Sequence, residues 1–151
     1  MNIKRVSIAE LDDLVTLFDQ YMVFYKQPSA LQKHRDYLNE RLANDEASVF
    51  IAYNVDEEPA GFVLNYHTFS SVSLGKVIVL NDLFVVPSHR QQGIANSLIN
   101  CSIELAKSTG SIRVDLATAH DNLSAQALYE KMGFIKDTEY FSYSLPITCA
   151  T

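Results

Sequence analysis

The sequence has no tryptophan, two cysteines, four prolines and five glycines in 151 residues. Two cysteines, Cys101 and Cys149, are too few for a disulfide framework and do not have metal-ligand spacing. Cys101 falls in a predicted helix and reads as a small core residue rather than a nucleophile. Long hydrophobic runs are missing too. Runs such as Val77 to Leu80 and Leu83 to Val86 stop far short of the ~18 residues of a membrane span. The N-terminal Met1-Asn2-Ile3-Lys4-Arg5 lacks the apolar stretch of a secretory signal, so a cytoplasmic setting is expected, with no membrane partner. Basic residues number 12 against 18 acidic ones, for a net charge of -6. With no basic run or stripe, no nucleic-acid partner is expected.

What is present is an ordinary globular composition, 48% apolar and 20% charged, in a chain sized for one core and one domain, residues 1–151. A strand is expected at Ile3 to Val6. Ser7-Ile8-Ala9-Glu10 reads as a capping box, and Leu11, Leu14, Val15, Phe18, Tyr21 or Met22, and Tyr25 follow at helical spacing. Pro28-Ser29 breaks that helix, and Ser29 to Gln32 can cap a second one running to about Ala43. Strands are expected at Ser48 to Tyr53, Gly61 to Phe69 and Lys76 to Val86, with a turn at Asp56 to Pro59. A helix follows from about Ile94 to Ser108, closed by Gly110, with its apolar stripe at Ile94, Leu98, Cys101 and Leu105. After a strand at Ile112 to Ala117 comes a helix from Asn122 to Met132-Gly133. Phe134 to Ile135 and Glu139 to Leu145 are the last two expected strands. The order is βααβββαβαββ: an α+β fold with a mixed, mostly antiparallel sheet flanked by helices. The crossover between 76 and 117 makes one pair parallel.

The segment from Leu83 to Asn96 is the most informative. A buried strand feeds through the polar loop Arg90-Gln91-Gln92-Gly93 into a helix that starts Ile94-Ala95-Asn96. The first amides of a helix have no intrahelical partner, and its N-terminus carries about half a positive charge. Gly93 lets backbone approach an anion, and Ala95 keeps the next turn small, so the loop can cradle a pyrophosphate. By itself this hexapeptide is also compatible with an ordinary strand-to-helix turn. No G-x-G-x-x-G dinucleotide fingerprint or Gly-Lys-Ser/Thr P-loop is present.

About 30 residues downstream lies a second motif, Asn122-Leu123-Ser124-Ala125-Gln126-Ala127-Leu128-Tyr129-Glu130-Lys131-Met132-Gly133-Phe134. Together the two motifs and the element order make the chain resemble the GCN5-related N-acetyltransferase superfamily. Its members pair an Arg/Gln-x-x-Gly-x-Gly/Ala loop with a later Asn...Leu-Tyr-Glu-Lys-x-Gly-Phe helix. The run from Gly61 through Leu80-Asn81-Asp82-Leu83-Phe84-Val85 is similar to the diamine and polyamine acetyltransferase branch.

The resemblance implies direct transfer from acetyl-CoA to a primary amine, with a small diamine, polyamine or amino acid as the acceptor and a homodimer as the usual state. It implies that the pantetheine arm lies along Leu83, Phe84 and Val85, whose amides polarise the thioester. Arg90, Gln91, Gln92, Gly93, Ile94, Ala95 and Asn96 would cover the pyrophosphate. Asn122 would touch the cofactor further along, and it fits equally well as a helix N-cap. Tyr129 would donate a proton to the departing sulfur. No metal is expected. Polyamine acetyltransferases carry Glu where this chain has Asn81, which cannot take the amine's proton. Asp82 is adjacent, but strand alternation aims it at the opposite face unless a bulge intervenes. His67 and His120 have the right intrinsic pKa but read as surface or structural residues. Tyr21, Phe24 and Tyr25 close the first helix, where they can pack or line an acceptor pocket. Two rivals share the fold: a protein lysine or N-terminal acetyltransferase, and a CoA-binding regulatory module without turnover.

Overall fold

The computed structural model describes residues 1–148, and Cys149 lies outside them. They form two compact units, Met1–Ala117 and Thr118 onward. The first contains β1 (Asn2–Arg5), α1 (Leu11–Phe24), α2 (Leu31–Ala43), β2 (Ala47–Tyr53), β3 (Pro59–Ser70), β4 (Gly75–Val85), α3 (Ile94–Ser108) and β5 (Arg113–Asp115). The five strands lie side by side in chain order. The first four are antiparallel, as their short connections require, and the crossover through α3 makes β4 and β5 parallel.

Both faces of this sheet are covered. α1 enters through one 3₁₀ turn, Ile8–Glu10, where the Glu10 carboxylate accepts from the Ser7 amide at 2.9 Å and hydroxyl at 2.7 Å. Its buried stripe, Leu11, Leu14, Val15, Leu17 and Phe18, packs with Leu38 of α2 on Phe62, Leu64 and Phe84 of the sheet. On the opposite face Leu105 and Ala106 of α3 meet Ile78, with Phe50 and Val114 beside them. Cys101 sits half-buried in α3, where burial raises its thiol pKa. It is a packing residue and a poor nucleophile.

Ser29 does not cap α2, as its position before that helix predicts. Ala30 occupies the N-cap, and Ser29 instead donates its hydroxyl to Asp19 Oδ2 of α1 at 2.6 Å. The other Asp19 oxygen accepts from the Ala30 amide at 2.9 Å and lies 2.8 Å from His34 Nδ1. One buried carboxylate therefore ties α1 to the start of α2 and satisfies an amide that no intrahelical bond could reach.

In the second unit the expected helix is α4 (Leu123–Lys131). The two expected final strands do not form: 134–135 and 139–145 carry no ladder, and Tyr140, Phe141, Tyr143 and Leu145 are exposed. Alternation gives a segment two faces, but a strand also needs a neighbour to supply its hydrogen bonds. Among the described residues, none pairs with this segment. The α+β class and mixed sheet stand, with the order βααβββαβα.

The Asp19 tie has a consequence for acid stability. Burial by itself raises the Asp19 pKa, but the bonds from Ser29, Ala30 and His34 outweigh it and leave the carboxyl below its usual range. Its stabilisation is full above the unfolded pKa, about 3.9, and is lost as pH falls through the lower folded value. Urea melts between about pH 5 and pH 2 should show that loss in the wild type and a shallower slope in Asp19→Asn.

Candidate active site

The site is organised by a fault in the β3–β4 ladder. Phe62 pairs with Phe84 and Leu64 with Asp82, but the next residue, Asn65, pairs with Leu80. Asn81 is the extra residue of a β-bulge. A bulge reverses the facing of everything beyond it. Ile78 points towards α3, and unbroken alternation would send Asp82 and Phe84 the same way. Instead Phe84 packs in the α1 core, and Asp82 Oδ1 accepts from the Tyr21 hydroxyl of α1 at 2.7 Å. The strand-alternation expectation for Asp82 is thus corrected, for the one reason that could overturn it. Asn81 is exposed, and its side-chain amide donates to Asp82 Oδ2 at 3.0 Å.

Aromatic rings pack around the Tyr21 that bonds that carboxylate. Tyr21 packs on Tyr25 (centroids 4.9 Å apart), on Phe62 (5.7 Å) and on Phe84 (5.9 Å). Phe24 reaches Phe84 at 6.1 Å. Tyr66, which pairs with Val79 across the ladder, lies 2.5 Å from the Tyr37 hydroxyl of α2. Burial, reinforced by the bond to Asp82, pushes the Tyr21 hydroxyl well above the usual tyrosine range. Burial and the Tyr37 contact do the same to Tyr66. Both stay protonated at neutral pH, which keeps Tyr21 a donor to Asp82. The helix-end aromatics Tyr21, Phe24 and Tyr25 therefore pack on one another and on the sheet. Nothing in the sequence points to Tyr37 or Tyr66; the available signal is the polar pair Asn81-Asp82 inside an otherwise apolar strand.

On the other side of the bulge β4 has an open edge. It pairs with β3 as far as Val85 but with β5 only from Val77 to Val79. From Leu80 to Val85 no strand among the described residues lies on the β5 side. This is the backbone edge along which an extended chain can hydrogen-bond. Leu83 and Val85 are half-buried there, and Phe84 is buried on the α1 side.

β4 leads into the loop. A 3₁₀ turn at Pro87–His89 is followed by Arg90 in an extended conformation. Gln91 (φ 62°) and Gly93 (φ 79°) then take the left-handed region. Gly93 is the N-cap of α3, with no side-chain capping bond. A Cβ placed on Gly93 would meet nothing within 4 Å. Gln91, Gln92, Gly93 and Asn96 are exposed, Ala95 is half-buried, and Ile94 is buried and anchors the helix. The uncapped amides of a 15-residue helix beside open space fit an anion's approach and so suit a pyrophosphate. Arg90 is placed differently from its neighbours. Its Nε donates to the Val85 carbonyl at 3.0 Å, and its guanidinium lies 5.1 Å over the Phe24 ring.

Residues 83–96 are thus brought together in the first unit, while Asn122 and Tyr129 share α4 in the second. The Asn122 side chain accepts from the Ala125 amide at 3.3 Å, so its capping role is real, and its amide donors remain for other work. Tyr129 packs on Phe134, 5.9 Å between centroids. Gly133 (φ 100°) turns the chain back so that the Phe134 amide bonds the Tyr129 carbonyl. His67 is elsewhere: its Nε2 lies 2.8 Å from Ser48 Oγ, and burial together with Arg5 and Lys76 lowers its pKa. The His120 carbonyl accepts from Gln126, a structural role. Among the described residues no cluster of ligating side chains could hold a metal, and no helix is long and apolar enough to cross a membrane.

Comparison with known proteins identifies the family. Residues 11–134 match the model of the acetyltransferase (GNAT) family. The uncharacterised N-acetyltransferase YhfO of Bacillus subtilis is 38% identical over 147 residues, 97% of this chain and 98% of that protein. A thialysine N-epsilon-acetyltransferase of Caenorhabditis elegans is 29% identical over 128 residues, 85% of this chain and 79% of that one. The crystal structure of a probable acetyltransferase superposes with a TM-score of 0.91 at 34% identity, over 99% of this chain and 100% of the other.

Gly93→Val tests the loop. A β-branched residue is strained at φ 79°, by roughly 1–2 kcal/mol, and its side chain would fill the open approach. Acetyl-CoA affinity by calorimetry should fall by about tenfold or more; normal affinity would remove the loop from the cofactor site.

Proposed function

Because the chain belongs to the GNAT family and is an N-acetyltransferase, we propose that it moves the acetyl group of acetyl-CoA directly to a primary amine on a small molecule. The observation that carries this reading is the bulge-driven Tyr21–Asp82 hydrogen bond, set beside the open edge of β4. It places a carboxylate beside a cluster of aromatic rings, chemistry suited to a cation, next to the strand edge suited to the donor. We read the chain as one N-acetyltransferase domain, since the family match crosses both compact units. The family likeness also carries the expectation of a cytoplasmic homodimer.

Acetyl-CoA supplies a thioester carbonyl: the amine nitrogen bonds to its carbon as the carbon–sulfur bond breaks. The amides along Leu80 to Val85 bind the pantetheine arm and face the carbonyl oxygen, and those opening α3 hold the pyrophosphate. The acceptor arrives as an ammonium, and deprotonating a lysine-like amine at pH 7 costs about 4–5 kcal/mol. Asp82 anchors the ammonium and is positioned to receive the first proton, with Tyr21 and Asn81 holding the carboxylate in place. The second proton leaves the nitrogen for water as the new bond forms, and a proton from water restores Tyr129 after it has protonated the sulfur. Tyr129 is assigned the donor role to sulfur. At reference pKa values of about 10 and 8.5, complete transfer is uphill by roughly 2 kcal/mol, so the proton moves as the thiolate develops.

A specific observation favours a second reading. Phe24 and Tyr25 are 53% and 55% exposed, so the mouth of the site is open enough for a lysine carried on a peptide. A screen of small amines against lysine peptides, read by thiol release, separates the two. Tyr129→Phe should lower kcat by about tenfold or more while leaving the KM for acetyl-CoA within a factor of about two; an unchanged chemical step would take Tyr129 out of the mechanism. Asp82→Asn should lower kcat/KM for the amine by about a hundredfold, with acetyl-CoA affinity retained. Full activity in that variant would unseat Asp82.

A further inference from the structure

Resting on the reading of residues 90–96 as the grip on the donor's pyrophosphate, we infer that Asn54 and His89 are positioning residues for that loop. The turn between β2 and β3 braces it from outside. The bond that does so runs from Asn54 Nδ2 to His89 Nε2 at 3.1 Å, and both residues are half-buried. His89 closes the 3₁₀ turn Pro87–His89, so the chain it anchors continues directly into Arg90 and the left-handed Gln91 and Gly93. A non-glycine residue at positive φ, such as Gln91, persists only when its surroundings hold it. Ser88 bonds His89 within the loop, and Arg90 bonds back to Val85 of β4. Among the described residues, the Asn54–His89 bond is the one hydrogen bond that ties 87–93 to an element other than β4 and α3.

Chemistry fixes which atom donates. Asn54 Oδ1 accepts from the Asp56 and Glu58 amides, both at 2.9 Å. Flipping the side chain would set an NH2 group against two N–H donors. Nδ2 gives one hydrogen to Glu58 Oε2 at 3.1 Å and keeps the other for His89, so all four hydrogen-bonding positions of the amide are used. His89 Nε2 must therefore be the bare acceptor. Its ring proton sits on Nδ1 and is donated to Ser88 Oγ at 2.9 Å. Three bonds inside the β2–β3 turn thus orient Asn54, and Asn54 selects one tautomer and one ring orientation of His89. The same side chain shapes its own turn and steadies the backbone that enters the donor loop.

Acetyl-CoA and S-acetylpantetheine carry the same thioester, and only the first has the nucleotide and its pyrophosphate, so the pair isolates this brace. His89→Leu should lower kcat/KM for acetyl-CoA by about tenfold and leave that for S-acetylpantetheine within a factor of about two. General damage to the fold would lower both. His89→Gln, whose side-chain carbonyl can accept from Asn54, should restore most of the preference for acetyl-CoA. Nitrogen NMR of the wild type should find the His89 proton on Nδ1. Asn54→Asp keeps both turn bonds but offers the ring only acceptors, so the proton should move to Nε2. A wild-type His89 protonated on Nε2, equal losses with both donors, or no loss in His89→Leu would overturn the inference and leave the donor loop standing. Equal use of both donors by the wild type would overturn the loop's assignment to the pyrophosphate, and the inference with it.

Discussion

One extra residue in one strand governs the site. By opposing Leu64 and Asn65 with Asp82 and Leu80, the β4 bulge reverses the facing of everything after Asn81. Phe84 consequently joins the α1 core, Asp82 reaches the Tyr21 hydroxyl, and Leu83 and Val85 turn to the α3 side. Remove the bulge and a carboxylate would be driven into the apolar layer between the sheet and α3, where Ile78 meets Leu105 and Ala106. An unpaired charge there would be costly. Two requirements thus meet at Asn81: satisfying a buried carboxylate and turning it to the α1 face of the sheet.

The bulge also separates two environments. On one side a hydrogen-bonded carboxylate lies beside a cluster of aromatic rings. On the other is an open strand edge that leads to the uncapped start of α3, suited to an extended chain ending in phosphates. Arg90 belongs to both sides. It fixes the last residue of β4 through Val85 and lies over the final aromatic of α1, so loop and helix end are held in mutual register by one side chain.

Fit between local and global preferences is uneven along the chain. Leu11 to Phe18 at helical spacing, the Ser7–Glu10 box and the glycine opening α3 all agree with the structure they adopt. Ser29 shows how such agreement fails. Its placement suits a cap, but Asp19, ten residues earlier in the chain, offers a stronger acceptor once α1 and α2 pack together. The alternating segment 139–145 fails differently: its pattern specifies two faces but cannot supply the neighbour that a ladder requires.

The sequence by itself determined the α+β class, the location of the four α-helices of the described residues, the parallel crossover at β4–β5 and the glycine that opens α3. Each of these follows from periodicity, capping residues or glycine over a few adjacent positions. Two motifs, at Arg90 to Ala95 and Asn122 to Phe134, sufficed to indicate the family. Only the tertiary structure decided that Asp82 faces Tyr21, that Tyr37 and Tyr66 stand nearby, and that Arg90 lies over Phe24. Those contacts join residues of different elements, and the first depends on a bulge. A bulge alters strand parity by a single residue and leaves little trace in composition, which is why Asn81-Asp82 reads in sequence only as a polar interruption.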